Sequence, residues 1–179
     1  RKDAMLAATR IMQDVVAAAH RHPPHGRGTV GMVQVFPNSR NVSPGRVKFS
    51  IDLRNSTDAL VDAMAAEVKA FADQVAKEHG VRVHIEMVSS YPAQLFQPEC
   101  VEAVGRAAAK LGYSHMSTVS GAGHDAVYMA KLAPSGMIFI PCKDGISHNE
   151  IEDAKPEHIE AGCNVLLHAM LEQAVLANK

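Results

Sequence analysis

Residues 46 to 54 read R-V-K-F-S-I-D-L-R. Val47, Phe49, Ile51 and Leu53 alternate strictly with Lys48, Ser50, Asp52 and Arg54, the period of a strand with one apolar and one polar face. Val30 to Phe36, rich in Val and Phe, reads as a second strand. Pro37, Asn38, Ser39, Asn41, Pro44 and Gly45 lie between the two as a dense cluster of turn formers, so the pair is expected to form a hairpin with a long connection. Downstream, Ser56 or Thr57 can cap a helix running from Asp58 to Glu78 and closed by Gly80. Val81 to Val88 alternates again and predicts a third strand. Upstream, Ala4, Ala8, Ile11, Met12, Val15, Val16 and Ala19 recur at spacings of three and four, an amphipathic helix from Lys2 to about His20 that Pro23 and Pro24 end. The order is helix, strand, strand, helix, strand. One strand in front would complete the split βαβ ferredoxin-like order. That strand is missing and residue 1 already reads as helix, so the chain is expected to be a piece of something longer.

Tyr91 to Pro98 reads as a linker. After it come a helix from Glu99 to Leu111, a Gly- and Ser-bearing loop from Ser114 to Gly123, and a short helix around Ala126 to Ala133. An apolar strand, Met137 to Pro141, and a loop from Cys142 to Asp153 follow. Pro156 then takes the first-turn position of a last helix reaching about Ala177. Helix and strand in alternation predict one flank of an α/β layer. Two domains are expected, 1–92 and 93–179.

The chain has 179 residues, 47% of them hydrophobic and 21% charged. Eighteen Lys plus Arg against nineteen Asp plus Glu leave a formal charge of -1, too little for an overall basic field, so nucleic acid is not an expected partner. No apolar run approaches the roughly 18 to 20 residues of a membrane span, and no membrane partner is expected. Cys100, Cys142 and Cys163 are odd in number and lack C-x-x-C spacing, which argues against a disulfide framework or a thiolate zinc site and fits a reducing cytoplasm.

Several clusters invite chemistry. Gly26, Gly28 and Gly31 spell G-x-G-x-x-G, but a dinucleotide fingerprint follows a strand and opens a helix, whereas these glycines follow a helix and lead into a strand. A flexible turn is the reading they support. His20, His22 and His25 crowd a helix end, where cationic or polar residues are favoured without any metal. Ser120, His124 and Asp125 lie in S-G-A-G-H-D. Adjacent side chains rarely point at each other, so a nucleophilic triad is not expected, while a polar ligand contact and a helix cap stay open. His148, in G-I-S-H-N-E, follows the apolar strand at the edge where ligands of open α/β sheets collect; it is a metal ligand or a solvated loop residue. Arg54 offers a fork matching a carboxylate, and the Asn41 amide can both donate and accept, against the plainer roles of strand end and turn.

Three strings, P-N-S-R-N-V-S-P-G-R-V-K-F-S-I-D-L-R at 37 to 54, S-G-A-G-H-D-A at 120 to 126 and M-I-F-I-P-C-K-D-G-I-S-H-N-E at 137 to 150, closely resemble the hydantoinase/carbamoylase amidase family. Its members include N-carbamoyl-L-amino-acid hydrolase, β-ureidopropionase and allantoate amidohydrolase, within the binuclear zinc aminoacylase and carboxypeptidase superfamily. The resemblance covers essentially the whole chain. It implies an incomplete ferredoxin-like lid and dimerisation domain followed by the C-terminal segment of an α/β zinc-hydrolase catalytic domain. It also implies that His148 is a metal ligand and that Asn41, Arg54, Gly121, Ala122, Gly123 and His124 contact substrate. The full-length enzyme would hold two divalent ions, zinc or manganese, and hydrolyse a carbamoyl or ureido C–N bond as a homodimer joined through the lid. The other metal ligands and the general-base Glu belong to an N-terminal half not contained here, so this chain is expected to bind metal weakly or not at all and to be inactive alone. A stand-alone dimerisation or binding module descended from such an enzyme is the alternative, and an allantoate amidohydrolase the alternative within the enzyme class. Asn41 and Arg54 are far enough apart in sequence that, in extended chain, they would exceed the reach of a small substrate. Either their connection folds back or they serve different sites of a dimer.

Overall fold

The computed structural model describes residues 2–177, and these divide between Ala93 and Gln94 into two compact units. In the first, helices α1 (Ala4–Arg21) and α2 (Asp58–His79) flank strands β1 (Arg27–Thr29), β2 (Val33–Phe36), β3 (Arg46–Phe49) and β4 (Asp52–Arg54). The Asp3 carboxylate caps α1 by accepting from the Met5 and Leu6 amides at 3.1 and 3.3 Å. Thr57 Oγ1 accepts from Leu60 N at 3.3 Å, and Gly80 closes α2 at a φ of 62° that favours glycine.

The strands are antiparallel: Val33 faces Phe49 and Phe36 faces Arg46 in one ladder, Arg27 faces Arg54 and Thr29 faces Asp52 in the other. Between these ladders residues 30 to 32 stand against only 50 and 51, a β-bulge. Ser50 fills it: its hydroxyl oxygen accepts from Met32 N at 3.1 Å while its own N–H donates to the Met32 carbonyl at 3.0 Å. The extra residue explains why two unbroken strands in the sequence become four short ones. It also keeps Val30 of one edge and Phe49, Ile51 and Leu53 of the other on the same inner face. Val30, Ile51 and Leu53 pack on buried Val15, Ala18 and Val68, and Phe49 on Ala7, Ile11, Ala72 and Val75.

The glycines at 26 and 28 belong to this junction. A Cβ on Gly28 would lie 2.2 Å from the Val15 carbonyl oxygen, and one on Gly26 2.4 Å from that of Ala19, whereas one on Gly31 would meet nothing nearer than 4.0 Å. Only a bare backbone lets β1 cross α1 so closely. The spacing that mimics a nucleotide fingerprint is a helix–strand contact.

Val81 to Val88 does not form the strand its alternation predicts. Val81 and Val83 pack on the Ile11 and Val75 cluster, but no segment among the described residues hydrogen-bonds the stretch into a ladder, and a strand is defined by such a neighbour. Past Val83 the apolar side chains of Ile85, Met87 and Val88 are exposed.

The second unit is built on α3 (Pro98–Lys110) and α5 (Pro156–Ala177), with a short α4 (Asp125–Met129) between them. Ala103, Ala107 and Ala108 of α3 meet Val165 and Ala169 of α5, and Ile138 packs on that seam. Arg106 joins the two helices by donating to Glu172 Oε1 at 2.7 Å. Met137 to Pro141 runs beside the helices, as an Ile140 methyl 2.7 Å from where a Gly162 Cβ would lie shows. It too lacks a paired neighbour among the described residues and is not a strand, for the same reason as Val81 to Val88.

Candidate functional site

Arg54 ends β4 on the outer, polar face of the hairpin. Its Nε donates to Asp52 Oδ1 at 2.7 Å and its NH2 to Asp52 Oδ2 at 3.0 Å, a fork-on-fork pair. These bonds hold the Asp52 carboxyl below its ordinary value and raise the Arg54 guanidinium above its own. The signal for Asp52 was present in the sequence, since residues two apart on a strand share a face. Its effect is to fix the plane of the guanidinium.

Asn41 lies in the exposed connection between β2 and β3, where its Oδ1 accepts from the Ser39 hydroxyl at 3.2 Å. The mouth of this loop is closed by Gly45 N donating to Phe36 O at 3.0 Å and by the Arg46 guanidinium 4.1 Å above the Phe36 ring. The ladder therefore folds the loop back on itself, but it sends Asn41 and Arg54 to opposite ends. From the Phe36–Arg46 pair to the Arg27–Arg54 pair is roughly 25 Å at about 3.3 Å per residue. A single small substrate does not bridge them within one chain.

In the second unit, Ser120 Oγ and His124 Nε2 are 2.6 Å apart, and the Ala122 amide donates to the same Oγ at 3.2 Å. His124 has extended backbone as the residue before α4, and its ring meets Phe139 edge-on, centroids 5.6 Å apart. Gly121 and Gly123 are exposed, and a Cβ on either would meet nothing within 4 Å. Among the described residues no carboxylate hydrogen-bonds the His124 ring. The sequence pointed to Ser120, His124 and Asp125 as neighbours; the structure joins the first two only.

His148 is exposed, with a left-handed φ of 57° that is uncommon for a residue bearing a Cβ. Its N–H donates to Glu152 Oε2 at 2.8 Å, and Asn149 Oδ1 accepts from Ile151 N at 3.2 Å. These bonds order the turn around the imidazole. Among the described residues no three His, Cys, Asp or Glu converge to hold a metal ion, so the residues present do not by themselves fit one. The three histidines at the end of α1 do not converge either: His22 Nε2 lies 2.7 Å from Glu67 Oε1 of α2, and Arg21 bridges Glu67 and Asp14.

The chain belongs to peptidase family M20/M25/M40, whose family model matches residues 3–172. It is 47% identical over 174 residues to the N-carbamoyl-L-amino-acid amidohydrolase of Rhizobium meliloti, covering 97% of this chain and 42% of that protein. It is 29% identical to the allantoate amidohydrolase of Bacillus subtilis, again over 97% of this chain and 42% of the other. Among solved structures, a hydantoinase/carbamoylase family amidase from Burkholderia multivorans superimposes with a TM-score of 0.93 at 51% identity, covering 97% of this chain and 42% of that one. The chain thus spans under half the length of these relatives. No helix among the described residues is long and apolar enough to cross a membrane.

Proposed function

We propose that this chain is the C-terminal portion of a metal-dependent amidohydrolase that cleaves the carbamoyl C–N bond of N-carbamoyl amino acids or related ureido acids. The observation that carries the reading is the Arg54 fork held in plane by Asp52, in a chain whose relatives are named for carbamoyl and ureido substrates. A fixed guanidinium plane suits a substrate carboxylate, which it can meet with paired hydrogen bonds. Residues 1–92 then serve as lid and dimerisation domain and 93–179 as part of the catalytic domain, with Gly121, Ala122, Gly123 and His124 lining the substrate site. His148 supplies one ligand to a centre of two divalent ions, zinc or manganese, whose remaining ligands lie outside this chain. The enzyme works in the cytoplasm as a homodimer joined through the first unit, and the separation of Asn41 from Arg54 supports their serving different sites of that dimer.

The test is turnover of N-carbamoyl amino acids, 3-ureidopropionate and allantoate by the full-length protein loaded with zinc or with manganese. Hydrolysis of at least one ureido acid is expected. Failure on all of them with both metals refutes the reading. The exposed Ile85, Met87 and Val88 favour a second reading, a dimerisation module without activity of its own. A reading frame of about this length, together with a dimer in light scattering, would select it.

A further inference from the structure

The short contact between Ser120 and His124 decides more than the shape of a loop. Ser120 Oγ sits 2.6 Å from His124 Nε2, closer to the roughly 2.7 to 2.8 Å of O–H donors than to the roughly 2.9 to 3.0 Å of N–H donors, a spacing that suits the hydroxyl as donor and Nε2 as acceptor. The Ala122 N–H, donating into the same oxygen at 3.2 Å, polarises the hydroxyl and strengthens its donation. Phe139 edge-on against the imidazole limits rotation of the ring. A neutral imidazole that accepts at one nitrogen carries its hydrogen on the other. Among the described residues Nδ1 has no hydrogen-bond partner.

We infer that Ser120 is a positioning residue that selects the Nδ1–H tautomer of His124, presenting an N–H donor to an anionic or carbonyl oxygen of the substrate. The selection of the tautomer stands on this geometry alone, whereas the use of the donor rests on the amidohydrolase reading.

Two-bond 15N–1H correlation spectra of the labelled chain, recorded under alkaline conditions where imidazoles are neutral, read the tautomer directly. His124, assigned by loss of its signals in His124→Gln, is expected to show protonated Nδ1 and bare Nε2. Ser120→Ala should move the majority to protonated Nε2, and Ser120→Thr, which keeps the hydroxyl, should restore the wild-type pattern. A wild-type majority with protonated Nε2, or a ratio that Ser120→Ala leaves unchanged, overturns the assignment. In the full-length enzyme Ser120→Ala should lower kcat/KM about tenfold, the scale of one hydrogen bond, and Ser120→Thr should recover it. A shifted tautomer with unchanged kcat/KM overturns the role in catalysis. No turnover in the unaltered enzyme overturns the amidohydrolase reading and leaves the tautomer result standing.

Discussion

Replacing Gly28 by Ala tests whether the G-x-G run is a helix–strand contact. The added Cβ would lie 2.2 Å from the Val15 carbonyl oxygen and 3.1 Å from its carbon, both backbone atoms that no rotamer change can move. Ordinary contact needs about 1 Å more, so β1 must lift from α1. Leu53, which faces Gly28 across the ladder, would be drawn away from Val15 and Ala18. Overpacking usually destabilises by about 1 to 3 kcal/mol, and the upper end or beyond applies because the obstruction is main chain. For a unit of this size such a loss lowers Tm by about 10 °C or more. Gly31→Ala is the control: its Cβ would meet only Ser50 Oγ at 4.0 Å, so it should fall within about 0.5 kcal/mol of the parent. Urea and thermal melts followed by far-UV circular dichroism would measure both. A Gly28→Ala chain as stable as Gly31→Ala would show that the close approach is not a constraint, and the contact account of the motif would fail.

Other consequences can be checked alongside. Arg54→Lys in the full-length enzyme should raise KM more than it lowers kcat, with a loss of about 1 to 3 kcal/mol in transition-state binding, since lysine keeps the charge but not the paired geometry; unchanged kinetics on carboxylate-bearing substrates would remove Arg54 from the site. His148→Ala in the same enzyme should deplete one of two metals and nearly abolish hydrolysis while its melt stays close to wild type, because the loop is exposed; metal analysis showing two ions and normal turnover would return His148 to a solvated turn. Glu67 is held below its ordinary value by hydrogen bonds first from His22 and then from Arg21. Its folded pKa is the depressed one, so its contribution is complete above the unfolded value and is lost as pH falls through the folded one. Glu67→Gln should therefore flatten the acid limb of stability against pH, and identical limbs would contradict the assigned bonds.

The long helices were legible from different signals: the three-and-four apolar spacing of α1, Thr57 and Gly80 around α2, and Pro156 at the start of α5. The apolar face of residues 46 to 54 was legible from its alternation, and that face does pack on α1 and α2. Neither the alternation of Val81 to Val88 nor the apolar run of Met137 to Pro141 says whether a neighbour exists, which is why each reads as a strand in the sequence. The bulge escaped for a related reason: an extra residue shows only when both edges are aligned. At the candidate site, the residue types at 54, 124 and 148 stood out, Ser120 stood beside His124 in the same motif and Asp52 shared a strand face with Arg54, but the bonds actually made, including that of Glu152 to the His148 amide, are geometry that a one-dimensional pattern does not show.

The bulge at residues 30 to 32 also has an architectural effect. With Ser50 bonded twice to Met32, the two edges of the hairpin hold a single alignment, because sliding either by one residue would turn Val30, Ile51 and Leu53 out to solvent. The far end of the hairpin, with Arg27 opposite Arg54, is thereby insulated from the loop at residues 37–45. That loop is free to lengthen, shorten or change sequence without displacing the arginine, so a reshaped tip and a constant Asp52–Arg54 end can coexist on one scaffold.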